Sequence, residues 1–272
     1  MTNSEGSKYI LQFLKLGGSL ITDKSQPHTP RLDLLDRIAE EIAKTLRKIP
    51  QQKLLLGHGA GSFAHVPASK YGTRKGVYTQ QEWRGFVEVW REASLLDNLV
   101  IEALQKADLP AIALHPSAAV IAQDGRVTSW DLSPIKTALE HGLIPVIHGD
   151  VIFDSIRGGT ILSTEDLFDH LARHLKPERI LLAGQESGVW ADYPKCTQLI
   201  PEITTTNFAE FKNILGGSAA IDVTGGMSSK VHQMLALTHE IQGLEVVIFS
   251  GEKAGMVEKA LLGSRIGTVI RA

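Results

Sequence analysis

Cysteine is nearly absent. Cys196 is the single one in 272 residues, which excludes an intramolecular disulfide and a Cys-based zinc site. Excess charge is absent too. A formal net charge of −2 provides no global basic field, so neither nucleic acid nor a membrane is expected as a partner. No run approaches the ~18 apolar residues of a membrane span. The opening MTNSEGSKYILQF lacks the apolar stretch of a signal peptide. A soluble, cytoplasmic protein is expected. There is no G-K-[ST], hence no P-loop. What is present is ordinary globular material, 43% hydrophobic and 21% charged.

Short apolar runs alternate with longer amphipathic stretches. Residues 9–15, 53–56, 111–115, 179–183, 244–249 and 266–270 read as strands, and 143–154 as two strands around Gly149-Asp150. Helical periods run over 32–48, 133–141, 165–175, 227–241 and 253–262, with the longest over 80–106, broken once. Asp124-Gly125 reads as the turn of a hairpin over 118–129. Residues 192–218, polar and rich in Pro and Gly, read as a surface excursion. Strand-then-helix order predicts an α/β fold with a mainly parallel sheet and helices on both faces. In such sheets ligands sit beyond the carboxyl ends of the strands, where the glycine clusters fall.

Lys15-Leu16-Gly17-Gly18-Ser19 follows the first strand, so its backbone N–H groups and Lys15 are placed to meet an anion; a plain strand–helix turn is the competing reading. Gly57-His58-Gly59-Ala60-Gly61-Ser62-Phe63-Ala64-His65 follows another strand. Its G-x-G-x-G spacing departs from the G-x-G-x-x-G of dinucleotide-binding folds, which disfavours an oxidoreductase. His65 lies just past the loop, and His58 reads as packed beneath it. Lys24, in Thr22-Asp23-Lys24, would ordinarily be a solvated charge. Asp222 to Lys230, with Gly225-Gly226, opens a helix as another anion-ready N-terminus. Each lysine alone is bland; three of them beside several glycine loops are the signal. Asp150 and Asp166 are candidate organisers of the lysines or of Mg²⁺, and for Asp166 an ordinary helix-start role competes. Trp83, Phe86, Val87 and Trp90 read as core rather than as a pocket wall. His170 and His174, at i and i+4, read as helix surface, and no metal-ligating set is assigned.

The motifs K-L-G-G-S (15–19), I-T-D-K (21–24), G-H-G-A-G-S-F with His65 (57–65) and T-G-G-M-x-x-K (224–230) together resemble the amino acid kinase superfamily, in the right order over nearly the whole chain. The histidine after G-A-G-S-F narrows the resemblance to the branch acting on isopentenyl phosphate and the similar phosphonate-antibiotic kinases. The resemblance implies an open αβα sandwich forming one domain over 1–272, with an acceptor half to about 175 and a nucleotide half from 176. It implies ATP with Mg²⁺, a small phosphate acceptor such as isopentenyl phosphate, and a homodimer. Lys15, Gly17, Gly18, Ser19, Gly61, Gln185, Trp190, Gly226 and Lys230 would bind ATP. Lys24, His65 and Lys15 would be catalytic, and Ala60, His65 and Gly149 would bind the acceptor. Two departures stand out. Ala64 replaces a usual glycine, and Gly184 to Trp190 lacks both aspartates of the family's T-D-x-D-G-V-Y pattern. A phosphonate kinase and a non-catalytic nucleotide-binding regulator remain rival readings at this point.

Overall fold

The computed structural model describes residues 10–215 and 226–272, with the side chains of 212–215 excepted. Residues 222–225 of the last glycine motif therefore lie outside the described residues.

An eight-stranded sheet runs in the order β12-β14-β13-β9-β1-β2-β6-β3. Its strands are β1 (Ile10–Leu16), β2 (Gln52–His58), β3 (Ala111–Ala113), β6 (Ile144–His148), β9 (Arg179–Gly184), β12 (Glu202–Thr204), β13 (Glu245–Ser250) and β14 (Thr268–Arg271). Every neighbouring pair is parallel except β13 and β14. A second sheet orders β5 (Arg126–Trp130), β4 (Val120–Gln123), β7 (Asp150–Asp154) and β8 (Gly158–Leu162), and β10 (Val189–Trp190) pairs with β11 (Leu199–Ile200). The helices are α1 (Gly18–Ile21), α2 (Leu32–Lys48), α3 (Gly61–Tyr71), α4 (Gln80–Lys106), α5 (Ser133–Glu140), α6 (Thr164–Leu175), α7 (Phe208–Leu215), α8 (Gly226–Glu240) and α9 (Met256–Leu261). Among the described residues, no helix is long and apolar enough to cross a membrane.

The central strands are buried on both faces, and their alternation divides the core. Leu11 and Phe13 of β1, Leu55 of β2, Ile180 and Leu182 of β9 and Val246 of β13 pack with α6 and α8. Leu14 and Leu16, Leu54 and Leu56, Leu181 and Ala183, and Val247 pack on the other face with α2, α4 and α9. Gln12 interrupts this apolar run but is satisfied, accepting from Gln52 Nε2 at 3.2 Å and donating to Leu261 O at 3.3 Å. Lys15 continues the Leu11–Phe13 face. The period of two therefore delivers its ammonium to where α6 and α8 begin. The chain fills one side of β1 first, through β2, β6 and β3, and then crosses to β9, so β1 and β9 border the point where strand order reverses.

Three sequence expectations fail. The long helix is unbroken over all 27 residues of α4. Gly85 does not interrupt it; it lets α3 approach, since a Cβ there would lie 2.2 Å from Tyr71 Cγ. The stretch 192–218 is not simply a surface excursion, because β12 within it forms the sheet's edge with Ile203 fully buried. β8 also went unread, its G-G-T-I-L carrying too few apolar residues to signal a strand.

Candidate active site

Two turns meet above the carboxyl ends of β1 and β2. A Cβ on Gly18 would lie 2.4 Å from Gly61 N, and one on Gly59 would lie 2.9 Å from Gly18 N. Gly61 has φ +51, and a Cβ there would lie 2.2 Å from Thr22 Oγ1. These glycines are needed for backbone-on-backbone contact as well as for any ligand. Thr22, fully buried, clamps the turns: its hydroxyl donates to Gly18 O at 2.7 Å and accepts from Ser62 N at 2.9 Å.

Two cavities share this junction. The larger, about 330 Å³, runs toward β9 and β13 and is lined by Gly184, Gln185, Trp190, Gly226 and Met227 among others. The smaller, about 170 Å³, runs toward α3 and β6 and is lined by Gly18, Ala60, Gly61, His65 and Gly149. Lys15, Gly17, Ser19, Lys24, Glu165 and Lys230 line both. The described residues assigned to ATP or the acceptor border one cavity or the other, but Gly18 and Gly61, expected at ATP, line only the smaller. Ala64, Ala68, Val89 and Ile161 give the smaller cavity an apolar wall. The helical stripe supplies little of it, for Phe86 is core while Val87 and Trp90 face solvent. His58 is fully buried beneath its loop, as expected.

Glu165 is the residue that sequence reasoning missed. It forms an ion pair with Lys15 and another with Lys230 at 3.2 Å. Burial pushes its carboxyl up, but the two ammonium groups overwhelm that and hold it far below the usual carboxylate range. Asp166, the sequence candidate, instead closes a capping box with Ser163 and pairs with Arg74 at 3.2 Å. Asp150 accepts from Ser117 N at 3.0 Å and Val151 N at 2.8 Å, a structural use. The Ser163-Thr164-Glu165-Asp166 pattern did carry a signal. The N3 acid belongs to the capping box, which leaves its neighbour to turn inward. Arg74, also unforeseen, lines the smaller cavity, and its buried Nη1 has no hydrogen-bond partner among the described residues. Lys24 is exposed and makes no ion pair among the described residues.

An array of cations and backbone amides at strand ends, dividing a large cavity from a small one, is a device for holding two anions together. The chain belongs to the amino acid kinase family, whose sequence profile matches residues 11–250. Within that family it groups with the isopentenyl phosphate kinases. It is 38% identical to the isopentenyl phosphate kinase of Methanocaldococcus jannaschii, over 96% of this chain and 98% of that one. It is 34% identical to the enzyme of that name from Methanothermobacter thermautotrophicus, over 93% and 96%. An isopentenyl phosphate kinase solved by X-ray methods superposes with a TM-score of 0.81 at 31% identity, covering 96% of this chain and 99% of that one. A T. acidophilum isopentenyl phosphate kinase product complex gives 0.76 at 26% identity, covering 96% and 100%.

Proposed function

We propose that this chain transfers the γ-phosphoryl group of ATP to isopentenyl phosphate, giving isopentenyl diphosphate and ADP. The observation that carries the reading is the shared wall: three lysines border both cavities, and the smaller cavity has an apolar side. The larger cavity takes the nucleotide, with Lys15, Gly17, Ser19, Gly226 and Lys230 around the phosphates and Gln185 and Trp190 toward the base. The smaller takes the acceptor, its phosphate near Ala60, Gly61, His65 and Gly149 and its tail against Ala68, Val89 and Ile161. This makes residues to about 175 the acceptor half and the remainder the nucleotide half.

An acceptor phosphate with a second pKa of about 6 is mostly dianionic at neutral pH, so its oxygen attacks without a general base. The obstacle is repulsion. Two groups of charge about −2 roughly 5 Å apart repel by about 3 kcal/mol in water and by more than 10 at an effective dielectric of ~20. Lys15 and Lys230 hold the donor's charge. Lys24 stabilises the group in transit, and the loop amides and His65 hold the acceptor. Glu165 sets the spacing of Lys15 and Lys230. Arg74 adds a positive charge at the acceptor's wall.

Among the described residues, the carboxylates lining the cavities do not form a magnesium cage. Glu165 is held by two lysines, and Glu186 accepts from Trp190 Nε1 at 2.7 Å. The fit is to Mg²⁺ carried on the nucleotide's own oxygens, where it supplies charge neutralisation. A homodimer is part of the same reading and rests on the family resemblance.

The test is coupled ADP release with Mg²⁺-ATP against isopentenyl phosphate, dimethylallyl phosphate, fosfomycin, UMP, carbamate and N-acetylglutamate. Isopentenyl phosphate is expected to give the highest kcat/KM. Preference for any of the last four overturns the substrate assignment.

A further inference from the structure

Beneath the acceptor loop lies a polar cluster that the proposed reaction does not use. Asp97, from the middle of α4, is fully buried. His58 Nε2 lies 2.9 Å from its Oδ1, and His115 Nε2 lies 3.4 Å from its Oδ2. His148, at the end of β6, is 1% exposed. Its ring stands 5.2 Å from that of His115 and 5.4 Å from that of His58, between centroids. One ligand atom each from Asp97, His115 and His148 lies within 4.8 Å of the other two.

Two atoms here lack what a buried polar atom needs. Among the described residues, His148 Nε2 and Asp97 Oδ2 have no hydrogen-bond partner, and Oδ2 has only the 3.4 Å contact with His115. His148 Nδ1 lies 3.1 Å from Gly149 O, a contact that requires the proton on Nδ1. A cation held between these residues would give both buried atoms a partner.

We propose that Asp97, His115 and His148 form a binding site for a divalent transition-metal ion of the Zn²⁺ kind. Two imidazoles and one carboxylate with a fourth position left to solvent are a donor set such ions favour over Mg²⁺. Zn–N and Zn–O bonds of about 2.0–2.2 Å in a tetrahedron put ligand atoms about 3.3 Å apart. The His115–Asp97 separation of 3.4 Å already has that value. The supporting contacts are those of metal sites: His148 is oriented by a backbone carbonyl, and Asp97 Oδ1 is held by His58. His115, its side chain 30% exposed, gives the ion access. Because His58 precedes Gly59 and His148 precedes Gly149, an ion here would fix two backbone segments that line the smaller cavity.

Untagged, chelator-stripped protein is titrated with Co²⁺ and followed by visible d–d absorption, with bleaching by Zn²⁺. All variants carry H174A, because His170 and His174 have ring centroids 4.5 Å apart and can bind metal at the surface. One equivalent of Co²⁺ is expected, weakened at least about 10–100-fold by H115A and by H58Q, with a bleached spectrum on adding Zn²⁺. Thermal melting is expected to rise by about 5–10 °C at Zn²⁺ a hundredfold above Kd in the H174A protein, and not in H115A. H148A is the more direct variant, but its position is buried. H115A, partly exposed, keeps the test decisive if H148A fails to fold. No Co²⁺ bound by the H174A protein, or equal binding by H115A, overturns the site and leaves a water-filled histidine–aspartate network.

Discussion

The two cavities that meet at the lysines are made of different material. Away from the lysines, the larger sets long side chains, among them Gln185, Glu186, Trp190, Tyr193, Met227 and Ile248, around the glycines Gly184, Gly188 and Gly226. A Cβ on Gly184 would meet nothing within 4 Å, so this wall is open. The smaller joins the glycine loops to short side chains fixed in packed helices. Ala64, Ala68 and Val89 belong to a buried cluster between α3 and α4, and the loop above them is locked by Thr22. A packed aliphatic wall selects by shape, so on the proposed function the Ala68 and Val89 side of the smaller cavity is where the acceptor's tail would be discriminated.

The largest effect should come from the wall the cavities share. E165Q removes the buried negative charge between two ammonium groups. Breaking such a pair costs about 3–5 kcal/mol, and the 27% exposure of Lys230 places it near the lower end. A fall in Tm of about 6–12 °C follows, measured by calorimetry, with partial recovery on adding Mg²⁺-ATP, whose phosphates restore the missing charge. An unchanged Tm would separate Glu165 from the lysines. The pH dependence has a definite sign. Because the folded carboxyl titrates below its ordinary value, its contribution is present above the unfolded pKa and is lost as pH falls through the folded value. Glu165 therefore adds no slope between about pH 5 and 8.

K24A comes next and tests whether the shared wall acts in transfer rather than in binding. A loss of about 10²–10³ in kcat with ATP KM nearly unchanged is expected from steady-state kinetics. A loss under threefold would exclude Lys24 from the transition state. H65A then sharpens the contrast from the acceptor side. A charge-assisted hydrogen bond of about 1.5–3 kcal/mol predicts roughly a 10–150-fold fall in kcat/KM for isopentenyl phosphate, with ATP KM within about twofold. Equal changes toward both substrates would mean that the cavities are not functionally distinct.

The sheet and most helices were legible because their signals are local. Apolar runs ended in glycine, and the helical period over 32–48 is the helix α2. The lysines and glycines lining the cavities were legible as motifs at strand ends. What escaped depends on distant partners. Glu165 reads as one more helix-start acid until β1 delivers Lys15 and α8 delivers Lys230, 150 and 65 positions away in the chain. Arg74 lies in a short 3₁₀ turn with no motif around it. The histidine cluster joins β2, α4, a loop and β6, and no spacing in the sequence announces it. The unbroken α4 shows the opposite failure: Gly85 looks like a local breaker, yet contact with Tyr71 decides its role.

The smallest effect tests the openness of the larger cavity directly. Gly184 ends β9 without a positive φ, and an added methyl meets no neighbouring atom within 4 Å. G184A should therefore leave the fold intact while placing a methyl group where the nucleotide would lie against the strand end. A rise of a few-fold in ATP KM is expected, equivalent to about 1 kcal/mol or less, with kcat and isopentenyl phosphate KM unchanged. If the wall adapts, even this disappears and ATP KM stays at its original value, which would mean that the strand end contributes shape but no contact. A rise confined to isopentenyl phosphate KM would reverse the assignment of the two cavities, because only the larger one reaches Gly184.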